Sequence, residues 1–320
     1  MEKLRNNNIE ILYKTQEDIN TQYAIKKTKL EEGEKISIVS DSLFKTMFLN
    51  SKRLKYSAKL ISLVVDVEFD YLLNNLQLIK NELDKEVIST KNQRCDYIAN
   101  IRDSLINIEV NNNATIEVLE RNIEYSHKLY ASRIRVGSKY IYNQVIQINI
   151  NNFSFKDNEN TVDYFYMKNQ EGKALNEKII YVNIYLPNNY RKWYNEGKES
   201  LTELERYILA IAEPDVRVSE EISEGDIFME DTVKEIKEFC LEEDLRESYD
   251  KEWADISQGR LEGRREGHIE GKKEGLKEGK EEQIKIDAVN LHKNGVTDEL
   301  ITKSLNITQE QLEEYLKEAE

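Results

Sequence analysis

The sequence has few residues that form disulfides, interrupt secondary structure or bind zinc: it has two cysteines, two prolines and three histidines among 320 residues. Cys95 and Cys240 are too few for a disulfide framework, which favours a reducing compartment. The histidines, His127, His268 and His292, are far apart, and no Cys/His spacing typical of zinc is present. The sequence therefore supports neither a disulfide scaffold nor a zinc centre.

Long apolar segments are also missing. No run approaches the roughly 18 residues of a membrane span, and the first ten residues have no apolar stretch like that of a signal peptide. A P-loop and a G-x-S-x-G motif are absent as well. With 39% hydrophobic and 33% charged residues, we expect a polar, helix-rich cytoplasmic protein without a membrane segment.

Acidic charge is unevenly distributed along the chain, whose net charge is −15. Residues 1–150 contain 22 Lys and Arg against 20 Asp and Glu, which leaves 24 against 41 for residues 151–320. The first half can therefore present a basic face to phosphate. Two cationic groups are candidates, with a solvated helix face as the open alternative for each: Lys52, Arg53, Lys55 and Lys59, and then Arg121, Lys128, Arg133, Arg135 and Lys139.

A β-hairpin is predicted at the centre of the first half. Its strands are Cys95–Ala99 and Leu105–Asn111, and the polar residues 101–104 between them favour a tight turn. Apolar and polar residues alternate in the second strand, which indicates two different faces. One face contains Ile106, Ile108 and Val110, and the other contains Asn107, Glu109 and Asn111.

Two carboxylates oppose each other in this hairpin. A turn symmetric about residues 102 and 103 places Asp96 opposite Glu109, with about 5 Å between the Cβ atoms. Like charges in this arrangement are destabilising, so the pair needs a reason. A divalent cation provides one, because Mg²⁺ is usually held by one or two carboxylates together with substrate phosphate.

Helical and extended patterns flank the hairpin. Before it, Ser40 or Asp41 is expected to cap a first helix, and residues 60–65 belong to a second, buried helix. Residues 76–79 fit either a strand or the end of a helix. After the hairpin, a helix is predicted over residues 114–135, and Gly137 is expected to stop it. The prediction rests on residues that recur at spacings of three and four: Ile116, Leu119, Ile123, His127 and Tyr130. His127 is interpreted as a packed core residue of this stripe.

Further strands are predicted at residues 145–150, 164–167 and 179–186. A polar turn over 151–160 separates the first two, and Pro187 ends the third. This order predicts an α/β fold with a mixed β-sheet core flanked by helices.

The second half is predominantly helical by pattern. Residues 190–255 are acidic with apolar residues at helical spacing, and we expect them to have a structural role. Six glycines then recur every fourth residue from Gly259 to Gly279, although each costs about 1 kcal/mol in a helix. A self-association or partner helix and a flexible charged tether are the two alternatives. Residues 283–320 predict a small helix-turn-helix-like unit whose acidic surface argues against DNA contact.

The order and spacing of several motifs resemble the PD-(D/E)XK nuclease superfamily. More narrowly, they resemble the Rpn-type recombination-promoting nucleases, also described as PD-(D/E)XK family transposases. The resemblance covers nearly the whole chain. Its residues are Asp41-x-x-Phe44-Lys45, Asp96, Ile106-Asn107-Ile108-Glu109-Val110-Asn111, Arg121-x-x-x-Tyr125, Gly137-x-x-Tyr140, Val145-Ile146-Gln147-Ile148-Asn149, Leu245-Arg246-x-x-Tyr249 and the EGxx repeat.

The resemblance implies a restriction-endonuclease-like fold and a metal-dependent DNA endonuclease. Asp96 and Glu109 would be catalytic residues that bind Mg²⁺ or Mn²⁺. Asn111 would be the third catalytic residue, and it would position the attacking water. The family usually has lysine or glutamine at this place in the motif. Because asparagine cannot supply the positive charge of a lysine, either the activity would be low or the site would use a neighbouring cation such as Arg94 or Arg121.

Two alternatives accompany this prediction. Asp41 is interpreted as a helix cap, with a place near the metal as the alternative. The competing function is a catalytically weak or inactive nuclease-fold protein that acts through its acidic C-terminal half and glycine repeat.

Five segments are expected along the chain. They are a lead-in at 1–39, a nuclease-like core at 40–189, an acidic helical segment at 190–257, a charged glycine-repeat helix or linker at 258–282, and a small helical module at 283–320. The expected partners are DNA and, through residues 259–279, a second copy of the chain.

Overall fold

The fold is seen in a computed structural model of the chain. The structure describes residues 15–20, 30–79, 95–102, 104–131, 144–169 and 171–319. The chain divides into two compact units, residues 1–253 and 254–320. None of the helices within the described ranges is long and apolar enough to cross a membrane.

A six-stranded mixed sheet lies at the centre of the first unit. The described residues of this unit also contain a separate pair of short strands. In chain order, all of these strands are β1 Ile19–Asn20, β2 Gln77–Leu78, β3 Tyr97–Ile101, β4 Ser104–Asn111, β5 Gln144–Asn151, β6 Ser154–Phe155, β7 Val162–Tyr166 and β8 Ile179–Tyr185. The spatial order of the sheet is β2-β3-β4-β5-β8-β7, and β1 pairs with β6 separately. The strands β4, β5 and β8 are parallel, and the outer strands are antiparallel to their neighbours. The predicted mixed sheet is confirmed.

Helices cover the sheet and continue to the end of the chain. They are α1 Asp41–Phe48, α2 Leu54–Val65, α3 Phe69–Asn75, α4 Ile116–Ala131, α5 Leu186–Glu196, α6 Glu203–Ala212, α7 Val216–Ser223, α8 Ile227–Phe239, α9 Glu243–Lys293, α10 Asp298–Leu305 and α11 Gln309–Glu318. Residues 76–79, ambiguous in sequence, follow the strand alternative: α3 ends at Asn75, and Gln77–Leu78 form the edge strand β2.

The main core lies between the apolar face of the sheet and several helices. Ile106, Ile108 and Ile148 of the sheet belong to one buried cluster with residues of α1, α2, α6 and α8. Central strands that are covered on both faces are typical of parallel sheets. Because α6 and α8 belong to the acidic helical segment, this segment contributes apolar side chains to the same core as the sheet.

Two local predictions around β8 and β5 are wrong. Pro187 does not simply end a strand, because α5 begins at Leu186 and proline occupies its first turn, where no backbone N–H is needed. The supposed polar turn over 151–160 contains β6. Its Phe153 and Phe155 are buried, and the Phe155 ring packs 5.5 Å from that of Tyr185.

The end of the lead-in is also part of the core. Ile36 and Ile38 are fully buried. The Lys35 backbone N–H donates to the Pro214 carbonyl at 2.8 Å, and the N–H of Ile38 donates to the Ile211 carbonyl at 3.1 Å. The described residues before α1 are therefore hydrogen-bonded to the segment at the end of α6.

The predicted apolar stripe of α4 is wrong at two of its five positions. Ile123 and His127 are exposed, so His127 is not a core residue. Leu119 of the stripe is buried, together with Val118, Asn122, Tyr125, Ser126 and Leu129. Asn122 and Ser126 turn inward because the sheet face beneath α4 is itself polar. The predicted stop at Gly137 lies outside the described residues.

The second unit contains the rest of α9 together with α10 and α11. The α9 backbone is helical through all six repeat glycines. A turn at Gly295, whose φ is +81°, precedes α10, and a capping box of Thr308 and Gln311 starts α11. Ala288, Ile301 and Leu312 form its buried core, as the helix-turn-helix-like pattern predicted.

Candidate active site

The hairpin has the predicted register. Tyr97 lies opposite Ile108 and Ile98 lies opposite Asn107, so the next position outward places Asp96 against Glu109. The turn is tighter than predicted, because Ile101 already pairs with Ser104. Arg102 in this turn has a φ of +50°.

Asp96 and Glu109 are tied to each other's backbone. The Asp96 N–H donates to Glu109 Oε1 at 3.1 Å, and the Val110 N–H donates to Asp96 Oδ2 at 3.0 Å. Asn107 Nδ2 also donates to Glu109 Oε1 at 3.1 Å. Glu109 is only 1% exposed. The two carboxylates are thus fixed near the carboxyl end of a central parallel strand, where α/β sheets commonly bind ligands.

Burial raises the pKa of both carboxyl groups and so disfavours their ionised forms. Burial, followed by the Asp96 charge, raises the pKa of Glu109 to about 8 against the opposing hydrogen bonds. Burial also raises the pKa of Asp96, opposed by the Val110 N–H and reinforced by the charge of Asp41. A nearby cation favours the ionised form of both groups. The two carboxylates therefore suit a hard divalent ion, because they supply oxygen ligands and the ion would offset their mutual repulsion.

The number of protein ligands is small. Among the residues that the structure describes, no group of three or more His, Cys, Asp and Glu side chains is arranged to hold a metal ion. Two carboxylates nevertheless match the way Mg²⁺ is usually bound, with water and substrate phosphate completing its shell. The Asp96–Glu109 pair fits an ion of that type.

Two cationic side chains act electrostatically on the pair. Lys45 of α1 forms an ion pair with Asp41 and is 54% exposed. The Arg121 guanidinium lies 5.6 Å from the centre of the Tyr125 ring on α4. Both positive charges counteract the raised pKa of Asp96. The sequence alone predicts Arg121 as a cation for the site. It also shows Lys45 in the Asp41-x-x-Phe44-Lys45 motif, but this role of Lys45 was not predicted, although Lys45 stands one helical turn after Asp41.

The first predicted cationic group does not face phosphate. Arg53 pairs with Glu242 at 3.0 Å, Lys55 pairs with Glu235 at 2.5 Å, and Lys59 pairs with Glu203. Acidic residues of the second half of the chain thus neutralise these charges on α2, and the expectation of a basic face is wrong there.

The second group is described only in part. Lys128 pairs with Glu124 at 2.8 Å within α4. Arg133, Arg135 and Lys139 lie outside the described residues, as does Arg94.

Asp41 does not act as the cap of α1. It is the first residue of the helix, and the backbone N–H groups of the first turn donate to Glu252 of α9. Its carboxylate instead pairs with Lys45 and acts on Asp96. The helix-cap interpretation of Asp41 is therefore wrong, and its place near a metal stays a prediction.

Asn111 is held in a buried network. Its Nδ2 donates to Asn151 Oδ1 at 2.9 Å, and its Oδ1 accepts from Asn122 Nδ2 at 3.1 Å. Asn111 is 1% exposed. The structure thus places its amide between β5 and α4, on the same strand face as Glu109.

A ladder of buried amides extends this polar face across the sheet, and sequence reasoning did not identify it. Asn107 Nδ2 donates to Gln147 Oε1 at 2.8 Å, Gln147 Nε2 donates to Asn149 Oδ1 at 2.9 Å, and Asn149 Nδ2 donates to Asn183 Oδ1 at 2.7 Å. The signal was present in the alternation of Gln147, Asn149 and Asn151 along β5, which has the same period as the polar residues of β4.

The mixed sheet, its flanking helices and the carboxylate hairpin define an α/β fold of the PD-(D/E)XK nuclease type. The chain belongs to the family described as PD-(D/E)XK nuclease family transposase, whose sequence model matches residues 38–255. The resemblance to the PD-(D/E)XK family transposases is thereby confirmed over residues 38–255. No curated protein and no solved structure matches the chain.

Proposed function

We propose that this protein is a metal-dependent DNA endonuclease of the Rpn-type recombination-promoting kind, which hydrolyses phosphodiester bonds with Mg²⁺ or Mn²⁺ held by Asp96 and Glu109. The observation that carries the proposal is the pair of buried carboxylates, each hydrogen-bonded to the backbone of the other's strand. Membership of a nuclease family supports the choice of phosphodiester chemistry.

Each side chain has a role that follows from its contacts. Asp96 and Glu109 bind the ion, which, when present, stabilises charge on the phosphate and lowers the pKa of a bound water. Lys45 and Arg121 offer positive charge to the phosphate, where asparagine at position 111 cannot. Asn111 holds the third position of the motif, and its bonds to β5 and α4 favour a role in positioning the attacking water.

The proposal also covers location and partners. A reducing cytoplasm suits Cys95 and Cys240, which are both free and buried. DNA is the proposed substrate, and self-association is proposed through residues 259–279, which α9 carries as a helix.

The first test is nicking of supercoiled plasmid DNA with Mg²⁺ or Mn²⁺. Asp96→Asn and Glu109→Gln are each expected to reduce the rate at least about a hundredfold, since several kcal/mol of transition-state stabilisation is lost. Glu247→Gln is the matched control, because Glu247 is an exposed carboxylate on α9. Thermal unfolding of every variant checks that folding is retained.

The proposal fails if the wild type does not nick DNA with either ion, or if the two site variants nick as fast as the control. The first result would favour the alternative of an inactive nuclease-fold protein that acts through its C-terminal half.

A further inference from the structure

Helix α1 begins without a cap from its own residues. Ser40 occupies the N-cap position, but its side chain makes no capping hydrogen bond to the helix. Glu252 of α9 takes over this task. Its Oε1 accepts from the Asp41 N–H at 3.1 Å, and its Oε2 accepts from the Ser42 N–H at 3.1 Å and from Ser40 Oγ at 2.6 Å. A carboxylate there satisfies free N–H groups and interacts favourably with the helix dipole.

A second contact ties the same point of the chain to the sheet. Asn112, which directly follows β4, donates through Nδ2 to the Val39 carbonyl at 2.7 Å. Asn152, which follows β5, donates to Asn112 Oδ1 at 3.1 Å. The start of α1 is therefore held from one side by the strand that carries Glu109 and from the other side by α9.

Helix α1 also carries two charges that act on the candidate active site. Asp41 and Lys45 stand one turn apart, form an ion pair and act electrostatically on Asp96. Both side chains are exposed, so their position depends on the helix backbone more than on packing of their own.

We propose that Glu252 is a positioning residue for the candidate nuclease site: by holding the first turn of α1, it fixes the Asp41–Lys45 ion pair relative to the strand that carries Glu109. The inference rests on the proposed function for its catalytic consequence. Glu252 acts through α1 and is not itself a catalytic residue. The contact also joins the two ends of the family-matching region, residues 38–255.

Amide hydrogen exchange on the full chain tests the contact without reference to activity. In Glu252→Ala, exchange in peptides covering residues 41–48 is expected to rise at least about tenfold, because the first-turn N–H groups lose their acceptor. Glu252→Gln retains one acceptor oxygen and is expected to lie between Glu252→Ala and the wild type. Glu247→Gln, an exposed glutamate of the same helix, is expected to leave this exchange unchanged.

The kinetic arm measures the consequence. In Glu252→Ala, kcat for plasmid nicking is expected to fall about tenfold to a hundredfold, because small displacements of a catalytic group cost that much. KM for DNA is expected to stay within about twofold, since no substrate-contacting residue is removed. Partial recovery in Glu252→Gln separates positioning from a general loss of folding.

Two results overturn the inference: unchanged exchange over residues 41–48 in Glu252→Ala, or raised exchange with an unchanged kcat. A wild type that does not cut DNA would refute the proposed function, and the exchange measurement would still decide whether Glu252 holds α1.

Discussion

The two faces of the central sheet differ in chemistry but not in exposure. On β4 and β5 the residues Ile106, Ile108 and Ile148 lie in the apolar core, whereas Asn107 and Gln147, on the same strands, are equally buried on the opposite face. Each buried apolar side chain gains about 1.5–3 kcal/mol. Each buried polar group costs free energy unless it is hydrogen-bonded. The comparison teaches that the polar face depends on its hydrogen bonds to remain buried and that Glu109 is kept there at a cost in stability, which is typical of a functional surface.

The largest expected effect on stability comes from the apolar face. Ile148→Ala is expected to lower the free energy of unfolding by about 2–5 kcal/mol, because it leaves a cavity in a fully buried position. Glu109→Gln on the polar face is expected to cost little or to stabilise, since it removes one of two adjacent buried carboxylates. Equilibrium urea unfolding measures both values. Equal destabilisation by the two changes would contradict the proposed difference between the faces.

A smaller loss is expected within the amide ladder. Asn149→Leu leaves Gln147 Nε2 and Asn183 Oδ1 without their partner, which is expected to cost about 1–3 kcal/mol. The matched control is Asn195→Leu, because Asn195 is exposed on α5. Urea unfolding again provides the measurement, and a loss no greater than that of the control would show that the ladder does not stabilise the sheet.

The smallest effect depends on pH and separates two kinds of buried carboxylate. Glu109 adjoins another carboxylate, whereas Glu205 pairs with Lys192 at 2.8 Å. Burial works against the ionised form of Glu205, but hydrogen bonds from Lys192, Thr161 and the Thr202 N–H outweigh it and lower its pKa. A folded-state pKa below the unfolded value means stabilisation at neutral pH, which is lost as pH falls below about 4.5 and through the folded pKa.

The free energy of unfolding of the wild type and of Glu205→Gln, measured across this pH range, checks the sign. The difference between the two proteins is expected to shrink as the solution becomes more acidic. A difference that grows towards acid pH would show that the pKa of Glu205 is raised in the folded state.

Local patterns predicted the hairpin well. The register of Asp96 and Glu109 followed from a symmetric turn and a side-chain period of two, and neither depends on distant parts of the chain. The capping box at Thr308 and the turn at Gly295 are equally local.

Long-range pairing explains what the sequence pattern did not predict. Asn122 and Ser126 resemble surface residues until a polar sheet face lies opposite them. The charges of Arg53 and Lys55 are neutralised by Glu242 and Glu235, which stand 189 and 180 residues further along the chain. Partners at such separations leave no periodic signal in either segment.

The Glu252 contact has a consequence for the timing of synthesis. A ribosome adds Glu252 about 140 residues after Glu109, which takes roughly 7–30 s at typical elongation rates. Until then the nascent chain contains both carboxylates and Lys45, but α1 lacks the acceptor for its first N–H groups. If Glu252 positions α1 as proposed, nascent chains that have not yet reached Glu252 cut DNA more slowly than chains that contain it.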